Sequence, residues 1–196
     1  MTFIIADLKK TPGTPVLAGY FQGGKMFRAL LAYVAASAIG IEPSKMITVA
    51  SALELLHGAS LIHDDIVDEA AERRSRPALH VQIGIGPALI LGDYLILRSF
   101  AILRESHPVY DLERVIEASN TLNYYAQLCC LGELHELMPT GEGNPEDEYL
   151  RSCGGKLRLS SPRRHVASHL GRGNFRGNRS LADVWSQCWD RVSDPG

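Results

Sequence analysis

The longest apolar stretch of the chain, residues 46–70, reads MITVASALELLHGASLIHDDIVDEA. Apolar side chains lie on most faces of the helix that this stretch would form, and charge is concentrated at its carboxyl end. A helix that is apolar all round is normally buried in the middle of a bundle. The stretch therefore predicts a central, enclosed helix that starts near Pro43–Ser44 and carries Asp64, Asp65 and Asp68 at its carboxyl end.

Helical patterns flank this central stretch on both sides. Residues 25–39 are rich in Ala and Leu and stop at a glycine, residues 87–105 begin with a proline that suits a first helical turn, and residues 110–138 form a further long pattern. Glycine, proline and polar residues predict loops over residues 11–24 and 71–86. Because no strand alternation stands out, we predict an all-α fold, an antiparallel helix bundle.

The end of the chain differs in composition from the rest. Residues 1–150 hold 11 Lys and Arg against 19 Asp and Glu, whereas residues 151–196 hold 9 against 3. A fifth helix is predicted from Pro145, and helical periodicity then stops near Leu150. We therefore predict a helical part over residues 1–150 and a basic tail over residues 151–196 that is disordered or out of frame.

The overall composition indicates a soluble globular protein. Hydrophobic residues make up 45% of the chain, and the net charge of −2 gives no reason to expect a nucleic-acid partner. The four cysteines lack zinc-site spacing, which favours a reducing, cytoplasmic location. No apolar run reaches the roughly 18 residues that a membrane span needs, so no span is predicted.

The aspartates at the end of the central stretch form a cluster. Asp64 and Asp68 are one helical turn apart, so their carboxylates project from the same face, with Asp65 beside them. Neighbouring carboxylates repel one another and favour a cation, and Mg²⁺ binds a few carboxylate oxygens while it bridges to phosphate oxygens. The motif alone is more typical of an acidic surface turn than of a metal site, and its neighbours decide between the two interpretations.

Several basic residues accompany the aspartates. Arg73 and Arg74 follow the cluster, and a Gly-Gly entry precedes Lys25 and, one turn later, Arg28. His57 precedes Asp64 by seven residues and so shares its helix face, although a lone histidine on an apolar helix is more often a core residue. Guanidinium groups and a glycine-rich helix start are typical of anion sites. Together they predict a metal-bridged anion site and a purely cationic one above an apolar shaft.

Four motifs together resemble those of the trans-isoprenyl diphosphate synthase family. GGKMFRA at residues 23–29 is similar to GGKRxRP, and residues 54–80 resemble the first aspartate-rich region, ExxHxxxLxHDDxxDxxxxRRGxPxxH. ILGDYLILRSF at residues 90–100 resembles the third conserved helix, and LGELHEL at residues 131–137 occupies the place of the GQxxE segment. The resemblance covers residues 16–150 and implies an incomplete bundle of the isoprenoid synthase type.

The resemblance implies a prenyltransferase that joins an allylic diphosphate to isopentenyl diphosphate with Mg²⁺, expected as a homodimer. Four basic residues would hold the diphosphate of isopentenyl diphosphate: Lys25, Arg28, His57 and Arg74. Four residues would form the catalytic group around the allylic diphosphate: Asp64 and Asp68 as metal ligands, Asp65 assisting them, and Arg73 on the diphosphate itself. These basic residues argue against a terpene cyclase, which needs no isopentenyl site.

The resemblance also implies a product length. Ala59 and Ser60, five and four residues before Asp64, would line the shaft, and because both are small we predict a geranylgeranyl or longer product. The chain departs from the family pattern at four positions: Met26 replaces arginine, Ala29 replaces proline, Ser75 replaces glycine, and Glu133 replaces glutamine.

The second aspartate-rich motif of the family has no counterpart in the tail. Residues 151–196 contain only Asp183, Asp190 and Asp194, none adjacent to another. Back-translating residues 151–165 with GC-rich codons and shifting by one base permits the family's next helix with its Lys-Thr pair, so we hypothesise a frameshifted tail. Two alternatives to a working synthase follow, namely a non-catalytic subunit and an inactive fragment.

Overall fold

The computed structural model describes residues 14–21, 24 and 26–138, and the regular secondary structure of this part of the chain is helical apart from one small hairpin. Its elements, in chain order, are α1 (Thr14–Phe21), α2 (Phe27–Ala38), a 3-10 helix (Pro43–Met46), α3 (Ile47–Val67), β1 (Glu72–Arg73), β2 (Arg76–Pro77), α4 (Leu79–Ile83), α5 (Ile85–Arg104) and α6 (Leu112–Leu137). The all-α prediction is confirmed. The predicted fifth helix and the boundary at Leu150 lie outside the described residues.

The described residues belong to two compact units. One comprises residues 14–34 and 42–111 and contains all the described residues of the predicted site. The other comprises residues 35–41 and 112–138, in which α6 buries Val115, Ala118 and Leu122 at helical spacing.

Helix α3 is the centre of the first unit, as its sequence predicts. Between Val49 and Ala59 every residue except His57 is buried. The helix packs most extensively against α5, and His63 reaches across to Gly92, where any side chain would collide with the imidazole. Full burial of an aliphatic side chain such as Leu55 contributes about 1.5–3 kcal/mol, so packing rather than local propensity stabilises this helix.

The prediction of a loop over residues 11–24 is wrong for residues 14–21, which form α1. A proline in the first turn costs no helical hydrogen bond, so the composition that suggested a loop is compatible with a helix here. Leu17 and Phe21 are one turn apart and only 0% and 6% exposed, so their burial stabilises this short helix.

The predicted loop over residues 71–86 is also partly wrong. Its first half forms the hairpin, in which Glu72 pairs with Pro77 and Arg73 with Arg76. Its second half contains α4 and the first residues of α5. The two turn residues, Arg74 and Ser75, have φ values of 55° and 60°, as a two-residue type I′ turn requires. Strands of two residues are too short to show alternation, so they cannot be recognised from the sequence pattern.

Two helical segments of the described chain are long and apolar enough to cross a membrane by length and composition: Pro43–Val67 and Ile85–Arg104. The core helices of soluble proteins meet the same criterion, and the apolar window in the first segment is 67% buried inside the protein. These helices are therefore weak evidence for a membrane location.

Candidate functional site

A cavity of about 390 Å³ opens beside α3. Helix α3 contributes Glu54, His57, Gly58 and Leu61 to its wall, with the spacing of one helical face. This face leads towards the end of the helix that carries the aspartates, because Leu61 precedes Asp64 by three residues. Helix α3 thus connects the cavity with the aspartate cluster.

Three of the four predicted isopentenyl-site residues line this cavity. Arg28 comes from the first turn of α2, His57 from α3 and Arg74 from the turn of the hairpin. Two guanidinium groups and an imidazole around one concave surface favour an anion, and guanidinium forks match phosphate oxygens in particular. The fourth residue, Lys25, lies outside the described residues, and the ligand assigned to all four stays a prediction.

The position of Arg74 depends on a glycine. A Cβ atom at Gly24 would lie 2.9 Å from Nη1 of Arg74, which is too close for an unchanged arrangement. Glycine therefore lets the guanidinium approach the backbone that leads into α2. Arg74 itself has a left-handed backbone conformation, so this cavity residue is held in a costly geometry by the hairpin.

Glu54 is a cavity residue for which the sequence analysis proposed no role. It is 6% exposed, and its Oε1 accepts a hydrogen bond of 2.8 Å from the backbone N–H of Ala29. Ala29 lies in the first turn of α2, where backbone N–H groups have no partner within the helix. The one signal in the sequence was an acidic residue in the middle of an apolar helix, where a carboxylate needs a specific partner.

The three aspartates lie at the carboxyl end of α3 in different environments. Asp68 is the C-cap residue and is exposed, and its N–H donates to the backbone oxygen of Asp64 at 2.8 Å. Asp65 is 1% exposed, and its Oδ1 accepts a hydrogen bond of 2.6 Å from Nε of Arg73. The geometry therefore makes Asp65 the residue that holds Arg73, while Asp64 and Asp68 share the more open face.

The aspartate cluster fits a Mg²⁺ ion that is shared with a ligand. No group of three His, Cys, Asp or Glu residues within the described ranges could hold a metal by itself. Mg²⁺ is commonly bound by one or two carboxylates together with waters and substrate phosphates, which Asp64 and Asp68 can provide. A helix carboxyl end also has a negative dipole, which adds to the preference for a cation. The metal roles of all three aspartates stay predictions.

Tyr20 of α1 is a further residue that the motifs did not indicate. Its ring lines the cavity, and its hydroxyl oxygen is buried without a hydrogen-bond partner in the described part of the chain. Burial raises the pKa of this phenol well above its usual range, and the nearby carboxylate of Asp65 acts in the same direction. The residue was missed because it lies in a segment predicted to be a loop and belongs to no motif.

The two residues predicted to set product length lie in different surroundings. Ala59 is fully buried and precedes His63, which contacts α5, by one helical turn. Ser60 is half-buried, and its Oγ donates to the backbone oxygen of His57 at 2.9 Å. Space for an aromatic side chain is therefore more restricted at Ala59, and the effect of both residues on product length stays a prediction.

The protein is similar in sequence and structure to prenyl diphosphate synthases. It is 34% identical over 130 residues to octaprenyl diphosphate synthase of Haemophilus influenzae, a match that covers 66% of this chain and 37% of that protein. It is 37% identical over 138 residues to geranylgeranyl diphosphate synthase of Mycobacterium tuberculosis, with coverages of 69% and 38%. The chain spans about two fifths of the length of these curated relatives.

A solved structure extends the similarity to the fold. The polyprenyl synthase from Caulobacter crescentus, complexed with calcium and isoprenyl diphosphate, matches with a TM-score of 0.74 and 26% identity, over 88% of this chain and 52% of that one. The polyprenyl synthetase family model matches residues 14–160, most of the chain. By fold, motifs and sequence, the chain belongs to the polyprenyl synthetase family.

Proposed function

We propose that this chain contributes the first half of a prenyltransferase site, in which an allylic diphosphate condenses with isopentenyl diphosphate. The observation that carries the proposal is the convergence of Arg28, His57 and Arg74 on one cavity beside the helix that ends in the aspartate cluster. A cationic cavity next to paired carboxylates can bind two diphosphates in different ways, one directly and one through a shared metal ion.

The proposed reaction follows from this division. The carbon–oxygen bond of the allylic diphosphate breaks, and the diphosphate leaves with the electron pair. The double bond of the isopentenyl group then forms the new carbon–carbon bond, and a proton is lost from the product. Mg²⁺, bound by Asp64 and Asp68, would supply charge neutralisation for the leaving group. Arg73, held by Asp65 at 2.6 Å, would add hydrogen bonds to the same oxygens.

The product and the setting are part of the proposal. Ala59 and Ser60 are small, which supports a product of geranylgeranyl length or longer, in agreement with the names of the two curated relatives. The calcium and isoprenyl diphosphate in the Caulobacter crescentus enzyme support a divalent cation beside a prenyl ligand. We further propose a cytoplasmic location, on the spacing of the cysteines, and a homodimer, on the family resemblance alone.

A second candidate is a chain that binds diphosphates without turnover, as a non-catalytic subunit or an inactive fragment. It is favoured by the tail, since residues 151–196 contain no adjacent aspartates that could form a second metal-binding face. Such a chain would retain the cavity of the first unit and would lack the opposing carboxylates.

One experiment separates these candidates. The purified chain is incubated with radiolabelled isopentenyl diphosphate, an allylic diphosphate and Mg²⁺, and folding is followed by far-UV circular dichroism. Turnover that is lost in Asp64→Asn supports the enzyme, whereas a helical chain that binds diphosphate without product supports the second candidate. A chain without helical signal contradicts the proposed site in both forms. Sequencing the gene tests the frameshift, because a shifted frame without a second aspartate motif rejects it.

A further inference from the structure

Glu54 connects the two helices that contribute Arg28 and His57 to the cavity. It lies three residues before His57 on the cavity face of α3, and its Oε1 accepts the N–H of Ala29, the neighbour of Arg28. A buried carboxylate is costly unless it is hydrogen-bonded, and a helix amino end offers both free N–H groups and a favourable dipole. The 2.8 Å hydrogen bond gives the buried carboxylate of Glu54 a partner and also gives an acceptor to one free N–H group at the amino end of α2.

This contact depends on a residue at which the chain departs from its family. The resembled motif has proline where this chain has Ala29, and proline carries no N–H that could donate to Glu54. Proline is tolerated in a first helical turn, so its replacement by alanine is not needed for helix formation. The substitution instead provides the donor that the structure uses.

We propose that Glu54 is a positioning residue for the cationic cavity, an inference that rests on the proposed function. Its bond to Ala29 fixes the first turn of α2 against α3, and Arg28 is carried by that same turn. Release of the turn would let the guanidinium of Arg28 move away from His57 and Arg74. A diphosphate bound by all three groups would then lose part of its binding energy, because its contacts depend on their common geometry.

The test uses inorganic diphosphate in the presence of EDTA, so that no metal contributes to binding. Titration calorimetry on the full chain compares Glu54→Ala, Glu54→Gln, Ala29→Pro and the double variant Glu54→Ala/Ala29→Pro. Ser51→Ala is the matched control, since Ser51 is a buried polar residue of α3 that does not line the cavity. Hydrogen exchange at the Ala29 amide reports on the bond itself.

The expected result is that Glu54→Ala and Ala29→Pro each weaken diphosphate binding by about fivefold to tenfold, which corresponds to one hydrogen bond. Because both remove the same bond, the double variant should bind no more weakly than either single one. Glu54→Gln keeps an acceptor oxygen and should remain within about twofold of the wild type, with Ala29 still protected. Ser51→Ala should bind like the wild type.

Three outcomes would overturn the proposal. An unchanged diphosphate dissociation constant in Glu54→Ala would show that Glu54 only caps the helix. Rapid hydrogen exchange at the Ala29 amide of the wild type would show that the bond is absent. Losses of affinity that multiply in the double variant would show that the two residues act independently. Should Glu54→Ala not fold, Ala29→Pro and Glu54→Gln decide the question. Loss of prenyl transfer with intact diphosphate binding would reject the proposed function and leave the role of Glu54 standing.

Discussion

The wall of the cavity contains a close contact that a single methyl group should disturb. A Cβ atom at Gly58 would lie 2.5 Å from Cε1 and 2.6 Å from Cζ of Phe21. Phe21 is only 6% exposed, so its ring cannot move aside freely. Gly58→Ala therefore forces either a strained contact or a shift of the ring, and Phe21 is itself part of the cavity wall.

Two opposing effects determine the stability of this variant. Alanine in a helix interior is favoured over glycine by about 0.5–1 kcal/mol. Forcing an extra methyl group into a packed site costs about 1–3 kcal/mol. The matched control is Gly19→Ala in α1, because a Cβ atom there meets nothing within 4 Å. Its free energy of unfolding should therefore rise only by the preference of the helix for alanine over glycine. We expect the control to be more stable than Gly58→Ala by about 1–3 kcal/mol.

Urea denaturation measures this difference, with the slope of the transition checked for equality between variants. Diphosphate binding provides a second measurement. Movement of the Phe21 ring into the cavity should lower the diphosphate affinity of Gly58→Ala, whereas the affinity of Gly19→Ala should stay unchanged. Equal stabilisation of both variants, together with unchanged diphosphate binding, would refute the contact between Phe21 and Gly58.

Three further predictions concern the hairpin and its surroundings. Ser75→Gly should raise the free energy of unfolding by about 0.5–1 kcal/mol, since glycine adopts a φ of 60° without strain, and denaturant melts check this. Asp65→Asn should lower the free energy of unfolding by about 1–3 kcal/mol, because it weakens the bond to Arg73. Asp68 is exposed, so Asp68→Asn should change the free energy of unfolding by less than about 0.5 kcal/mol. The folded state raises the pKa of Tyr20 above its ordinary value of about 10, so the stability that the protonated phenol contributes is present below about pH 10. This stability is lost as the pH rises towards the pKa of Tyr20 in the folded state. Tyr20→Phe should remove this part of the loss of stability at alkaline pH, which melts at a series of pH values measure.

The sequence predicts the long helices well because their apolar residues recur at helical spacing over many turns. The central helix, predicted to start near Pro43–Ser44 and to continue to residue 70, is observed as Ile47–Val67 after the 3-10 helix Pro43–Met46. The helix predicted over residues 87–105 is observed as Ile85–Arg104. Short elements escape such reasoning. Helix α1 is only eight residues long, and the tertiary burial of Leu17 and Phe21 stabilises it against a glycine-containing and proline-containing sequence.

The site could be predicted only as a set of residue types. Motif order indicated that Arg28, His57 and Arg74 act together, and the structure brings them to one cavity. The bond between Glu54 and Ala29 and the buried hydroxyl of Tyr20 could not be foreseen. The bond between Glu54 and Ala29 joins helices that are far apart in the sequence, and the burial of the Tyr20 hydroxyl depends on tertiary packing, so neither has a local pattern.

The three departures from the family pattern in the first unit all fall at the edge of the cavity. Met26 lines it with a φ of 45°, Ala29 donates to Glu54, and Ser75 occupies the turn beside Arg74 with a φ of 60°. Left-handed conformations cost about 1–2 kcal/mol for residues other than glycine, so Met26 and Ser75 persist only because surrounding contacts hold them. The bond of Glu54 stabilises the turn that follows Met26, and the hairpin pairing holds Ser75. The stability of the cavity edge and the placement of its cations are therefore coupled, so a variant that loosens the edge should weaken anion binding even when no cation is removed.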